Sequence, residues 1–116
     1  MTHTALPALH AAIDRGHDAL RRAIAEGADV EARDRAGQTP LHRAVSMFGG
    51  DRVAVELLLA AGADPTARTP EGRTVIETLR AGVSSALEAM EADEIEKRLR
   101  EAEAQRSLLS SRGKRR

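Results

Sequence analysis

An all-α stack of short helix–turn–helix units is the fold class that this sequence predicts, and three observations carry the prediction. Gly27-Ala28-Asp29 returns as Gly62-Ala63-Asp64, and Gly37-Gln38-Thr39 returns as Gly72-Arg73-Thr74, both displaced by 35 positions. Self-similarity at such a period marks units that cannot bury their apolar faces alone and must stack. Phe48 is the single aromatic residue, so a core of Ala, Leu, Val and Ile needs the thin, close-packed layers that short helices provide. Finally, the apolar periodicity resets at each glycine cluster instead of running through.

The middle unit is the most regular. Pro40 suits a first helical turn because its missing N–H would be unpaired there, and Leu41, Ala44 and Val45 follow at helical spacing. Gly49-Gly50 ends that helix, Asp51 is placed to cap the next, and Val53, Leu57, Leu58 and Ala61 give it an apolar stripe. Gly62 then stops it, and the polar, Pro- and Gly-rich run 63–72 reads as an extended turn. The first unit repeats this with Ala8–Ile13, a break at Gly16, and Leu20, Ala23 and Ile24 before Gly27. In the third, Val75 stands where Pro40 stood and Glu77 where His42 stood. Departures at both ends fit terminal units, which face solvent on one side.

Beyond the third unit the pattern changes. Val83, Leu87 and Met90 share one helical face, whereas Ile95, Leu99 and Ala102 form a second stripe about 120° round the same helix. Glu94–Arg98 and Glu96–Arg100 are i, i+4 acid-before-base pairs, and Lys97–Glu101 is an i, i+4 pair in the reverse order. Residues 84–105 are therefore expected to be helical. Two outcomes fit, a break near Asp93 that folds the helix back over the third unit or a helix that runs on and offers its second stripe to another helix, a homodimer being one source; no Gly or Pro interrupts 91–103, so the second is favoured. Residues 107–116 are expected to be a basic, disordered tail. The expected layout is one domain over 1–106, with units near 5–35, 36–70 and 71–106.

Composition narrows the function. Eighteen basic and eighteen acidic residues cancel over the chain, but residues 1–106 hold fourteen basic against eighteen acidic groups, a net of −4. That balance, with one aromatic residue in all to stack on bases, argues against nucleic acid despite the basic Arg112–Arg116 end. Zero cysteines exclude disulfides and thiolate chemistry. No signal peptide or membrane span is read in the first residues, and a cytoplasmic location is expected. His3, His10 and His17 are seven apart, but no Cys or matching carboxylate completes a metal set. No nucleophile–base pair or phosphate-cradling loop stands at meaningful spacing, so neither an enzyme nor a cofactor is expected.

Gln38-Thr39-Pro40-Leu41-His42 and Leu57-Leu58-Leu59-Ala60-Ala61-Gly62-Ala63-Asp64 carry a resemblance to the ankyrin-repeat family, recognisable over roughly residues 5–90. The resemblance implies a helix–turn–helix stack with projecting hairpins, to which the residues themselves add about three repeats with degenerate ends and an extended C-terminal helix. It also implies that His10 and His42 make structural hydrogen bonds to the neighbouring turn. Its concave face of hairpin tips and first helices would bind one protein partner, with no small-molecule substrate. A displacement of 35 sets Arg33 over Arg68 and Gln38 over Arg73. With Arg35 on the same hairpin and Arg43 on the adjacent helix, these line up guanidinium groups along one edge, and Arg is enriched in interface hot spots. Met47 and Phe48, in a longer inter-helix loop, complete the candidate contact set. A small Arg- and Ala-rich binder of this sort suggests a bacterial antitoxin, immunity protein or adaptor.

Overall fold

A computed structural model of the chain describes residues 8–46 and 50–114, with side chains described as far as Leu108. Among these residues there are six helices: α1 Ala8–Arg15, α2 His17–Ala25, α3 Pro40–Val45, α4 Arg52–Ala60, α5 Val75–Ala81 and α6 Ala86–Lys114. They pair within three units, and each unit packs on the next, α1 on α3, α3 on α5, α2 on α4 and α4 on α6. The core is one continuous cluster of small apolar side chains, including Leu9, Leu20, Leu41, Val55, Leu58, Val75 and Leu79.

The repeated Gly-Ala-Asp follows from how the second helices end. At the end of α4, Gly62 takes φ 98°, a value that costs glycine no steric clash. The turn lets Gly62 N–H reach the Leu59 carbonyl and Ala63 N–H reach that of Leu58, each at 3.0 Å, satisfying carbonyls that the helix leaves unpaired. Ala63 is buried against the core. Asp64 then accepts from Thr66 N–H at 2.9 Å, turning the chain outward. Ala28 N–H to the Ala23 carbonyl and Glu31 N–H to Asp29 repeat the device in the first unit.

Thr39 caps α3 with a reciprocal pair. Its hydroxyl accepts from His42 N–H, while its own N–H points to His42 Nδ1. The other ring nitrogen, Nε2, donates to the Arg73 carbonyl of the next hairpin at 3.1 Å. Thr74 and Glu77 build the same capping box on α5. A glutamate closes the cap but has no second nitrogen to pass forward, as suits the last unit. His10 donates forward to the Gln38 carbonyl at 2.8 Å. Pro7 stands where a capping Thr would, and His10 Nδ1 has no partner among the described residues.

Several expectations are corrected. Val53 is 40% exposed, and the buried face of α4 is Ala54, Val55 and Leu58. Of the stripe Val83, Leu87 and Met90, Val83 packs half-buried against the core, while Leu87 at 75% and Met90 at 65% exposure stay outside it. The helix does run on without a break, as expected, but Ile95 and Leu99 are fully buried against the chain's own stack, with Ala92 beside them and Ala102 half-buried. Neither Ile95 nor Leu99 is open to a second copy. The reason is address rather than apolarity. α5 ends at Ala81 and α6 reaches the stack only from Ala92 onward, so Leu87 and Met90 lie on an overhang of the helix. α6 also continues to Lys114, so residues 107–114 have helical backbone where an irregular tail was expected.

α6 runs parallel to α4, and ion pairs mark the register: Arg52–Glu94 at 4.0 Å, Glu56–Arg98 at 2.9 Å and Asp64–Arg106 at 3.5 Å, each 42 positions apart. Of the expected pairs within α6, Glu96–Arg100 forms at 2.8 Å, while Glu94 and Arg98 turn instead to α4. Gly50 lets this arrangement close, because a Cβ there would stand 2.7 Å from Ile95 Cδ1 and 3.0 Å from Leu79 Cδ1.

Candidate interaction edge on the hairpins

Two turns form the edge. In the first, Gly37 N–H donates to the Asp34 carbonyl at 2.9 Å and Asp34 N–H to the Gln38 carbonyl at 3.1 Å, while the Asp34 carboxylate accepts from the Ala36 and Gln38 N–H groups. In the second, Gly72 N–H donates to Thr69 at 2.8 Å and Thr69 N–H to Arg73 at 3.0 Å. Gly37 is obligatory in two ways: φ is 81°, and a Cβ would lie 2.3 Å from the Pro70 ring of the second turn. The two hairpins therefore lie in direct contact, and their side chains are in register.

The arginines on this edge fall into two kinds. Arg33 donates to the Gly37 carbonyl at 2.8 Å and to the Arg68 carbonyl at 2.5 Å, clamping its own hairpin to the next. Arg68 closes its own hairpin by donating to Gly72 at 2.9 Å. Arg35 and Arg73 are exposed, and among the described residues their guanidinium groups donate to nothing. Gln38 is half-buried and contributes its carbonyl to His10. A carbonyl partner leaves the charge of Arg33 and Arg68 uncompensated. Among the described residues no carboxylate lies within 4 Å of Arg33, Arg35, Arg68 or Arg73. By contrast, Arg21, Arg43, Arg52, Arg80, Arg98, Arg100 and Arg106 each have one.

Arg43 belongs to the second group. It makes a two-point contact with Asp14 of α1, one of its bonds at 3.2 Å, and that hydrogen bond raises its pKa above the ordinary arginine range. Asp14 was not read from the sequence as its partner, although both stand near the ends of equivalent helices. Met47 and Phe48 lie outside the described residues. Burial pushes the pKa of Glu31 above its ordinary value, against the lowering effect of the hydrogen bond it accepts from Asp64 N–H at 2.7 Å. Burial likewise pushes the His42 pKa below 6.5, against the opposing bond to the Arg73 carbonyl. The ring is therefore neutral at neutral pH, which fits its use of one nitrogen as donor and the other as acceptor.

Residues 2–69 match the family model described as ankyrin repeats (3 copies). A stretch of 58 residues is 48% identical to the ankyrin repeat and LEM domain-containing protein 1 homolog of Caenorhabditis elegans, covering 49% of this chain and 8% of that relative. The chain thus spans a small fraction of the relative it matches. No described helix is long and apolar enough to cross a membrane. The hairpin, capping and helix-pair geometry and the match over more than half its length agree, and the chain belongs to the ankyrin-repeat family.

Proposed function

We propose that the chain is a non-enzymatic interaction module that holds one protein partner by its hairpin edge, through acidic side chains on that partner. Ankyrin repeats generally mediate protein–protein interaction, which supports the coarse reading. The observation that carries the finer one is that Arg33, Arg35, Arg68 and Arg73, on two hairpins in register, have no carboxylate within 4 Å among the described residues, whereas seven other arginines do. Charge that is already desolvated and paired gains little from a partner, whereas uncompensated guanidinium groups gain directional, charge-assisted bonds. An antitoxin or immunity protein acting in the cytoplasm by covering an acidic surface would use such an edge, and so would an adaptor. A homodimer built on Ile95, Leu99 and Ala102 would first have to strip α6 from the stack.

The test uses the intact chain as bait and identifies what it retains, then measures affinity by calorimetry for wild type and Arg35→Glu/Arg73→Glu. These two side chains hold no hairpin bond, unlike Arg33 and Arg68, so folding is preserved. The expected outcome is a loss of affinity of about tenfold or more, a little over 1 kcal/mol. Unchanged affinity moves the site off the edge.

A further inference from the structure

We propose that the N-terminal end of the stack is a contact surface for a second copy of this chain, the two ends meeting face to face about a two-fold axis. The outward side of α1 and α2 is a groove of about 320 Å³ floored by Ala11, Ala12, Ala19 and Ala23. The repeat makes its meaning readable. In the middle unit the positions of Ala12, Ala19 and Ala23 are Ala44, Ala54 and Leu58, all at most 1% exposed within the stack. Ala19 and Ala23 are half-exposed. The first unit therefore presents a stacking face, with alanine where the inner unit has leucine, and no unit of the described chain lies against it.

The opposite end is finished differently. Arg80 stands where the first and middle units have the buried Ile13 and Val45. It pairs with Asp93 at 2.7 Å and with Glu96, which also holds Arg100. A charged end of this kind does not accept an alanine face, because burying the network would cost its hydration. Head-to-tail stacking of copies, which would grow without closing, is thereby disfavoured, and the alanine end is left to meet its own kind.

The rim of the groove selects that partner. Arg15, Arg22 and Glu26 line it, and among the described residues none of them has an ion-pair partner within 4 Å, although seven other arginines do. A rim bearing both signs is complementary to itself under a two-fold rotation, which brings Arg22 of one copy to Glu26 of the other. The surface is distinct from the hairpin edge, so the two readings stand or fall separately.

Sedimentation equilibrium of the intact chain, from about 1 μM to a few hundred μM, reads the association directly. Wild type is expected to be a reversible dimer in this range, and Ala19→Glu/Ala23→Glu a folded monomer by circular dichroism. Arg22→Glu and Glu26→Arg, both at exposed positions, are each expected to be monomeric alone and to pair when mixed in equal amounts, because the mixture restores opposite charges across the axis. A wild type that stays monomeric throughout overturns the proposal, as does dimerisation undiminished in Ala19→Glu/Ala23→Glu. Single charge variants that fail to rescue each other overturn the two-fold arrangement even if the alanine variant does not fold.

Discussion

Arg35 and Arg73 on the hairpin edge and Arg100 and Arg106 on α6 are all exposed, yet their company differs. Arg100 has Glu96 at 2.8 Å and Arg106 has Asp64 at 3.5 Å, while the hairpin pair has no carboxylate within reach. Arg106 fastens α6 to the neighbouring unit through Asp64, and Arg100 holds Glu96 within the helix. Arg35 and Arg73 fasten nothing among the described residues, and their charge is left to the solvent. The same side chain is thus structural in one region and available in the other, and the distinction lies in the neighbours rather than in exposure.

The most disruptive way to probe the fastened region is through the apolar contacts beneath the ion pairs. Leu58→Ala and Leu99→Ala each remove a fully buried side chain and are expected to cost about 2–5 kcal/mol, read from chemical denaturation. Leu87→Ala, on the same helix as Leu99 but 75% exposed, should stay within about 0.5 kcal/mol of wild type. Equal losses for Leu87 and Leu99 would mean that α6 lies on its other face.

That pair of leucines also marks how far the sequence could be read. The repeat period, the proline at the start of α3, Asp51 as the cap of α4 and the glycines after α1, α2 and α4 are local chemistry, and each is found where the pattern puts it, whereas α3 ends at Val45, ahead of Gly49-Gly50. The implied histidine bonds are present too, from His10 to Gln38 and from His42 to Arg73. The choice between two stripes on α6 was not legible, because both are apolar and in phase with a helix. What selects Ile95 and Leu99 is the parallel run of Arg52–Glu94, Glu56–Arg98 and Asp64–Arg106, pairings between residues 42 apart that no single helix shows. On the edge, the line of arginines was legible. That Arg33 and Arg68 are hairpin clamps and Arg43 is neutralised by Asp14 was not, since each depends on a carbonyl or carboxylate brought near by stacking.

His42 ties the two regions together, since its ring joins the cap of α3 to the hairpin that carries Arg73. His42→Ala is expected to cost about 2 kcal/mol, from the lost cap and the orphaned carbonyl. The same ring makes stability depend on pH. Its folded pKa is held below 6.5 by burial, so the unfolded chain binds the proton more readily. Its contribution is complete above 6.5 and is lost as pH falls toward the depressed value. Melting wild type and His42→Ala between about pH 7.5 and 5.5 checks this, with the expectation that the gap between them narrows on acidification. A gap independent of pH would remove the ring from that role.

A smaller effect is expected from Arg80→Ala, which opens the exposed network with Asp93 and Glu96. Solvent-screened pairs of this kind contribute about 0–1 kcal/mol each. A loss of several kcal/mol would show that the charged end carries more of the stack than its exposure allows.

The separation between fastening and available arginines is tested most directly by a crossed comparison of Arg35→Glu/Arg73→Glu with Arg98→Glu/Arg106→Glu, measuring both unfolding free energy and affinity for the retained partner on the same preparations. The first variant is expected to keep its stability within about 0.5 kcal/mol and lose most of its binding. The second is expected to lose about 1 kcal/mol or more of stability by setting Glu56 and Asp64 against new acids, with binding by the folded fraction unchanged. Stability lost in the first variant, or binding lost only in the second, would contradict the account.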